Sequence, residues 1–337
     1  MRTAAVVVAV AVLGALVAWA ASGGPGASRA GHATTTTTTT VPATSSSTST
    51  SVPPVVPIGT YAVSSVTLSI TEPAGASGTR SLPTTVWFPA GRGGAPYPLL
   101  VFSQGYDASV ATYATLIHDW ASAGFVVAGP TYPHTDPSSP STLDENDIVN
   151  HPADLRFVIT TLLADSARTG SALSGMIQPS AIGVTGQSDG GDVSLAVVAN
   201  SCCIDPRVRA AAILSGAEWA GMGGRWFPGA TVPVLAVQGT ADTINPPACS
   251  AQFYDEDAST KYWLNLLGAA HLPPYVDAGT YQQVVAKVTT DFFEGELAGR
   301  PSGVAAMAGD GTVAGVTAFG STRSGPWAHG YCPGAPA

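Results

Sequence analysis

The stretch "AIGVTGQSDGGDVSLAVV", residues 181–198, sets Ser188 between glycines, with an apolar run before it and a helix-like run after it. A β-branched run that breaks at glycine and resumes with helical spacing reads as a buried strand turning sharply into a helix. Gly186-Gln187-Ser188-Asp189-Gly190 fits G-x-S-x-G. Small residues two before and two after the serine let the backbone make a strained turn that leaves the hydroxyl exposed at the strand's C-terminal end. Gly191 lets the new helix pack closely. With 38 glycines in the chain the pattern alone is weak, and its flanking strand and helix give it weight.

Outward from this turn, short β-branched runs alternate with longer amphipathic ones. Strands are expected at 65–70, 84–89, 98–103, 125–130, 181–186, 210–216, 234–239 and 262–268. Helices are expected at 109–123, 152–165, 189–200, 247–257 and 279–298. The later strands are continuously apolar, as strands are when helices cover both faces of a parallel sheet. Pro152 opens one helix, with Leu155, Val158, Ile159 and Leu162 on a single face. The fold class is therefore α/β, mostly parallel, with the first two strands as an antiparallel edge.

A serine nucleophile needs a base, and the base needs an orienting acid. In "VLAVQGTADTINPP" Asp242 follows a strand, and in "YWLNLLGAAHLPP" His271 follows the next one. Parallel strands bring both loops to the edge that carries Ser188. Taken singly, such an aspartate is a turn cap and such a histidine a surface residue. The order Ser188, Asp242, His271, each after its own strand, reads as a catalytic triad. Glu218, also just past a strand, is a rival acid, whereas His134 and His151 precede the serine and His118 lies in a helix. Two donors for an oxyanion are expected from the backbone N–H groups of Asp189 and of Tyr106, the latter in "VFSQGYDAS". The Tyr106 ring is either a pocket wall or a turn aromatic.

The ends belong to processing and spacing. Residues 1–21 carry Arg2 and an uninterrupted apolar run, with Ala18-Trp19-Ala20 as a small-x-small cleavage candidate. That reads as a signal peptide, with an uncleaved anchor as the alternative and the only membrane association expected. Residues 22–57 contain a Thr/Ser/Pro tract that cannot bury a core and reads as a disordered linker. The catalytic domain is placed at 58–299 and an irregular tail at 300–337. The expected location is thus secreted or cell-surface. Export permits disulfides among Cys202, Cys203, Cys249 and Cys332. Adjacent Cys202 and Cys203 are not expected to bond each other, so one of them is expected to pair elsewhere, and Cys332 is a candidate to staple the tail. A net charge of −9, with 13 Lys+Arg against 22 Asp+Glu, excludes the electrostatic footprint of a nucleic-acid binder.

The segments "PLLVFSQGYDAS", "HPADLRFVITTLL", "GVTGQSDGGD", "PVLAVQGTADTINP" and "GAAHLPPY" resemble the α/β-hydrolase superfamily from about residue 60 to 298. Within it the chain looks most like the dienelactone-hydrolase, platelet-activating-factor-acetylhydrolase and cutinase-like polyester hydrolase branch. The resemblance implies that an aromatic after the oxyanion glycine, here Tyr106, and a tryptophan after the sixth strand, here Trp219, line the substrate cleft. Gln187 and Asp189 depart from the His or Trp and the Met that those polyester hydrolases usually carry. The segment "AEWAGMGGRWFPGAT" is too short for a large cap domain, so the cleft is expected to be open and flanked by Trp219, Trp226 and Phe227. Each of these aromatics is equally a packing residue. The resulting expectation is a monomeric serine esterase acting on small, lipid or polymeric esters, without metal or organic cofactor. An acyltransferase with the same triad, or a non-catalytic surface-binding module, are the alternatives.

Overall fold

The computed structural model describes residues 58–75, 78–91, 93–320 and 332. The expected signal peptide, the whole of the linker at 22–57, and residues 321–331 and 333–337 of the expected tail lie outside the described residues. The strands are β1 (Val63–Leu68), β2 (Thr71–Gly75), β3 (Gly78–Ser81), β4 (Thr84–Pro89), β5 (Tyr97–Ser103), β6 (Val126–Pro130), β7 (Ile177–Gln187), β8 (Val208–Leu214), β9 (Val234–Gly239), β10 (Lys261–Leu266) and β11 (Thr317–Phe319). The helices are α1 (Ala114–Ser122), α2 (His151–Ala167), α3 (Asp189–Ala199), α4 (Pro247–Glu256), α5 (Pro273–Val276), α6 (Thr280–Ala298) and α7 (Pro301–Asp310).

A nine-stranded sheet runs β1-β4-β6-β5-β7-β8-β9-β10-β11. From β6 to β10 the neighbours are parallel, while β1, β4 and β11 join antiparallel at the two edges. Alternation along each strand feeds two cores. Leu99, Val101, Ile182, Val184, Ala211 and Ile213 face the layer of α2, α3 and α4. Leu100, Phe102, Ala210, Ala212, Leu235 and Val237 face that of α1, α6 and α7. Leu155, Val158, Ile159 and Leu162 of α2 are fully buried, as their spacing requires. With both faces covered, the strand ends carry the site, because only their loops reach solvent.

Three features differ from the sequence expectation. Strands β2 and β3 pair antiparallel, and a buried guanidinium on β3 ties them to the layer of α2. Arg80 donates to Asp154 Oδ1 and Oδ2 at 2.7 Å each and to Asp147 Oδ1 and Oδ2 at 2.9 and 2.6 Å. Asp154 belongs to α2 and Asp147 to the 3₁₀ turn Glu145–Asn150 before it, so one side chain pins the segment that bears Glu145. Arg80→Met strands two buried carboxylates. Urea denaturation is expected to show a loss of about 3 kcal/mol; a loss under about 1 kcal/mol would mean the pairing contributes nothing net.

The second difference is the tail placed at 300–337. It is regular up to Phe319, since α7 packs on α6 and β11 extends the sheet beside β10. Third, Cys202 and Cys203 are disulfide-bonded to each other, and Cys249 pairs with Cys332. The adjacent pair lies in the turn closing α3, against the loop that contains Trp226. Ser201 N–H donates to Arg225 O at 2.9 Å and Phe227 N–H to Ala199 O at 2.7 Å. Between β8 and β9 the only helical turn is the 3₁₀ segment Ala220–Met222, so no cap domain is inserted there. Among the described residues no helix is long and apolar enough to cross a membrane.

Candidate active site

Ser188 links β7 to α3 with φ 57° and ψ −127°. A non-glycine residue adopts such a backbone at a cost of about 1–3 kcal/mol, and only where its surroundings over-determine it. Here they do. Ser188 N–H donates to Leu214 O at 3.0 Å, and Ser188 O accepts from Gly191 N–H at 2.7 Å and Asp192 N–H at 3.0 Å. The flanking glycines answer a steric demand. A Cβ on Gly186 would sit 2.2 Å from Gly190 O, and one on Gly190 would sit 1.9 Å from Ser103 O. The motif read from sequence is therefore a close crossing of β7, the start of α3 and the end of β5.

Asp242 occupies the turn after β9, and His271 the loop between β10 and α5. His271 Nδ1 lies 2.8 Å from Asp242 Oδ2. An ionised carboxylate only accepts, so Nδ1 carries the proton and Nε2 keeps its lone pair. Asp242 is itself fixed: its Oδ1 accepts from the N–H groups of Ile244 at 2.9 Å and Asn245 at 3.0 Å, and its Oδ2 from Gln238 Nε2 at 3.3 Å. Both members of the pair are buried.

Gln187 supplies a contact that the sequence does not reveal. Its Nε2 donates to His271 O at 3.1 Å and lies 3.2 Å from His271 Nε2. Its Oε1 accepts from the Tyr113 hydroxyl at 2.7 Å. Burial pushes the Tyr113 phenol up, which keeps that hydroxyl a donor. The imidazole is thus held from both ends, by Asp242 on one ring nitrogen and by Gln187 on the other. Among the described residues it is the Gln187 amide, and not the Ser188 hydroxyl, that lies within hydrogen-bond distance of His271 Nε2.

Ser188 and His271 open into one cavity of about 260 Å³. Tyr106, Asp189, Glu145 and Ile244 share its lining. Gly105 brings the Tyr106 loop in, since a Cβ there would lie 3.1 Å from Ser188 Cβ. Among the described residues the Tyr106 backbone N–H donates to no protein acceptor, while the Asp189 N–H faces its own carboxylate. Tyr106 is exposed at the rim. Burial first, and the charge of Glu145 second, push the Asp189 carboxyl up to about 7. Trp219 does not line the cavity; it is half-buried and packs against the core on the α2–α4 side. Trp226 is buried beside Asn200, so it and Phe227 are packing residues of that layer. The rival acid Glu218 faces Gln252 at 3.4 Å, not the histidine. His151 is buried and stacked on Tyr132. Among the described residues no group of three or more His, Cys, Asp or Glu is placed to hold a metal ion.

A doubly covered parallel sheet with a strained serine elbow and a carboxylate–imidazole pair at its C-terminal edge is the α/β-hydrolase architecture. The chain belongs to the PET hydrolase-like family, whose model matches residues 21–292, and it is accordingly a carboxylic ester hydrolase. No curated protein matches the chain.

Proposed function

We propose that this chain is an exported serine hydrolase that cleaves small, lipid or polyester-like carboxylic esters through Ser188, His271 and Asp242. The observation that carries the reading is the Asp242–His271 pair at 2.8 Å opening onto the cavity that Ser188 also lines. In the proposed cycle the substrate enters, the Gln187 amide gives up the imidazole lone pair, and His271 Nε2 takes the Ser188 proton as Oγ attacks the carbonyl carbon. Asp242 holds the resulting imidazolium. The N–H groups of Tyr106 and Asp189 receive the oxyanion. Collapse expels the alcohol, which takes the proton from His271, and water then repeats the sequence on the acyl-enzyme. Export is supported by the apolar run within residues 1–21 and by the Cys249–Cys332 disulfide. A polyester substrate is supported by the family and by the lack of a cap insertion between β8 and β9.

The test is hydrolysis of p-nitrophenyl esters from acetate to palmitate, with labelling by a fluorophosphonate. Turnover of the shorter esters and a single adduct on the peptide containing Ser188 are expected. No turnover, or an adduct elsewhere, overturns the reading.

Asp189 has a separate consequence. When its carboxyl ionises, near pH 7, a negative charge stands beside the place where the oxyanion forms. Asp189→Asn is expected to match the wild type at pH 6, where the carboxyl is largely neutral. At pH 8.5 it should exceed the wild type in kcat/KM by about 3–10-fold on a neutral ester. The comparison uses the ratio of the two enzymes at each pH, so titrations they share cancel. A ratio flat across that range would mean the charge is not felt at the reaction centre.

A further inference from the structure

The cavity beside Ser188 carries two carboxylates and, among its lining residues, no lysine or arginine. Asp189 follows the nucleophile directly and is 5% exposed, and its Oδ2 has no hydrogen-bond partner. Glu145 faces the same cavity from the exposed 3₁₀ turn before α2, close enough to bear on the Asp189 carboxyl. The other carboxylate held near Asp189, that of Asp192, is committed to the Ala217 N–H at 2.5 Å. One buried oxygen of the Asp189 carboxylate has no donor, and the lining residues include no lysine or arginine, so the negative charge of the cleft is uncompensated. What compensates it is a ligand group that brings a positive charge.

We infer that Asp189 and Glu145 make this cleft selective for esters bearing a protonated amine near the scissile carbonyl, and selective against esters bearing a carboxylate there. The inference rests on the ester-hydrolase reading and names its substrate class. An ammonium group in the cavity lies in the field of the Asp189 and Glu145 carboxylates and near the exposed Tyr106 ring, which adds a cation–π contact at the rim. A carboxylate placed there meets two like charges and no counter-charge. A carboxylate-terminated fragment, the product of cutting a polyester, is for the same reason a poor ligand and leaves readily.

Three ethyl esters of similar length test this in a pH-stat at pH 8 and low salt: ethyl 4-aminobutyrate, ethyl pentanoate and monoethyl succinate. The first is cationic at this pH, the second neutral and the third anionic. For the wild type, kcat/KM is expected to fall by about tenfold at each step from cation to neutral to anion. In Asp189→Asn/Glu145→Gln the three values should converge. Should the double variant fold poorly, Glu145→Gln alone, or 0.5 M salt on the wild type, is expected to narrow the spread. Equal wild-type rates on all three esters overturn the selectivity and leave the hydrolase reading standing. A spread that survives in the double variant also overturns it. No turnover of any of them, nor of the p-nitrophenyl esters, removes the hydrolase reading itself.

Discussion

Asp242→Asn lowers kcat by about ten-thousand-fold on any ester the enzyme turns over, with its far-ultraviolet circular dichroism unchanged. The reason lies in which way the new amide must face. Asp242 Oδ1 accepts two backbone N–H groups, from Ile244 and Asn245, at 2.9 and 3.0 Å. An asparagine keeps those bonds only by leaving its oxygen there, which turns its NH₂ toward His271 Nδ1. Two donors cannot share that contact, so the imidazole moves its proton to Nε2 and presents an N–H where the reaction needs a lone pair. Gln187 Nε2, 3.2 Å from Nε2, then also meets a donor and disfavours the ring's position. The unproductive tautomer is enforced by the Ile244 and Asn245 N–H groups, which fix the substituted side chain's orientation. The check is single-turnover kinetics on a p-nitrophenyl ester beside thermal unfolding; a folded variant within about tenfold of the wild type would remove Asp242 from the mechanism.

The same residues show what a single sequence carries and what it does not. The serine elbow, the two loops and the covered sheet were legible because each leaves a local mark: a glycine where a chain crosses, an apolar run where both strand faces are buried, an acid or a base just past a strand. Helix α7 leaves none. It buries Gly303 and Met307 and packs through close backbone approach, with a Cβ on Gly303 only 2.4 Å from Asp291 O, so its Gly/Ala-rich stretch has no apolar stripe to read. The β2–β3 pair is hidden for a similar reason, since its anchor is Arg80 and the partners of that side chain lie 67 and 74 residues away. Gln187 and Trp219 depend on tertiary placement alone. One turns inward onto the base; the other, expected as a cleft wall, turns toward the core. Nothing in either residue type decides that.

Gly190→Ala is expected to destabilise the chain by at least about 4 kcal/mol and to abolish hydrolysis in whatever fraction folds. Its new methyl group would stand 1.9 Å from Ser103 O, 2.4 Å from Ser103 C and 2.8 Å from Gln104 O. All three are backbone atoms, so no rotamer change relieves the clash. Nor can the backbone of β5 retreat, because Ser103 is paired with Gly186 in the middle of the sheet and packed on both faces. The start of α3 must move instead, and Ser188 moves with it, since Ser188 O holds the first turn through Gly191 and Asp192. A control separates this from the general effect of replacing glycine. At Gly309 in α7 an added Cβ meets nothing within 4 Å, so Gly309→Ala is expected to stabilise the chain by about 0.5–1 kcal/mol through helix propensity. Urea midpoints of the two variants, measured beside the wild type, should therefore move in opposite directions. If Gly190→Ala unfolds within about 1 kcal/mol of the wild type, the crossing of β5, β7 and α3 is looser than the structure has it. The glycines of the elbow would then reflect composition rather than the geometry that exposes Ser188.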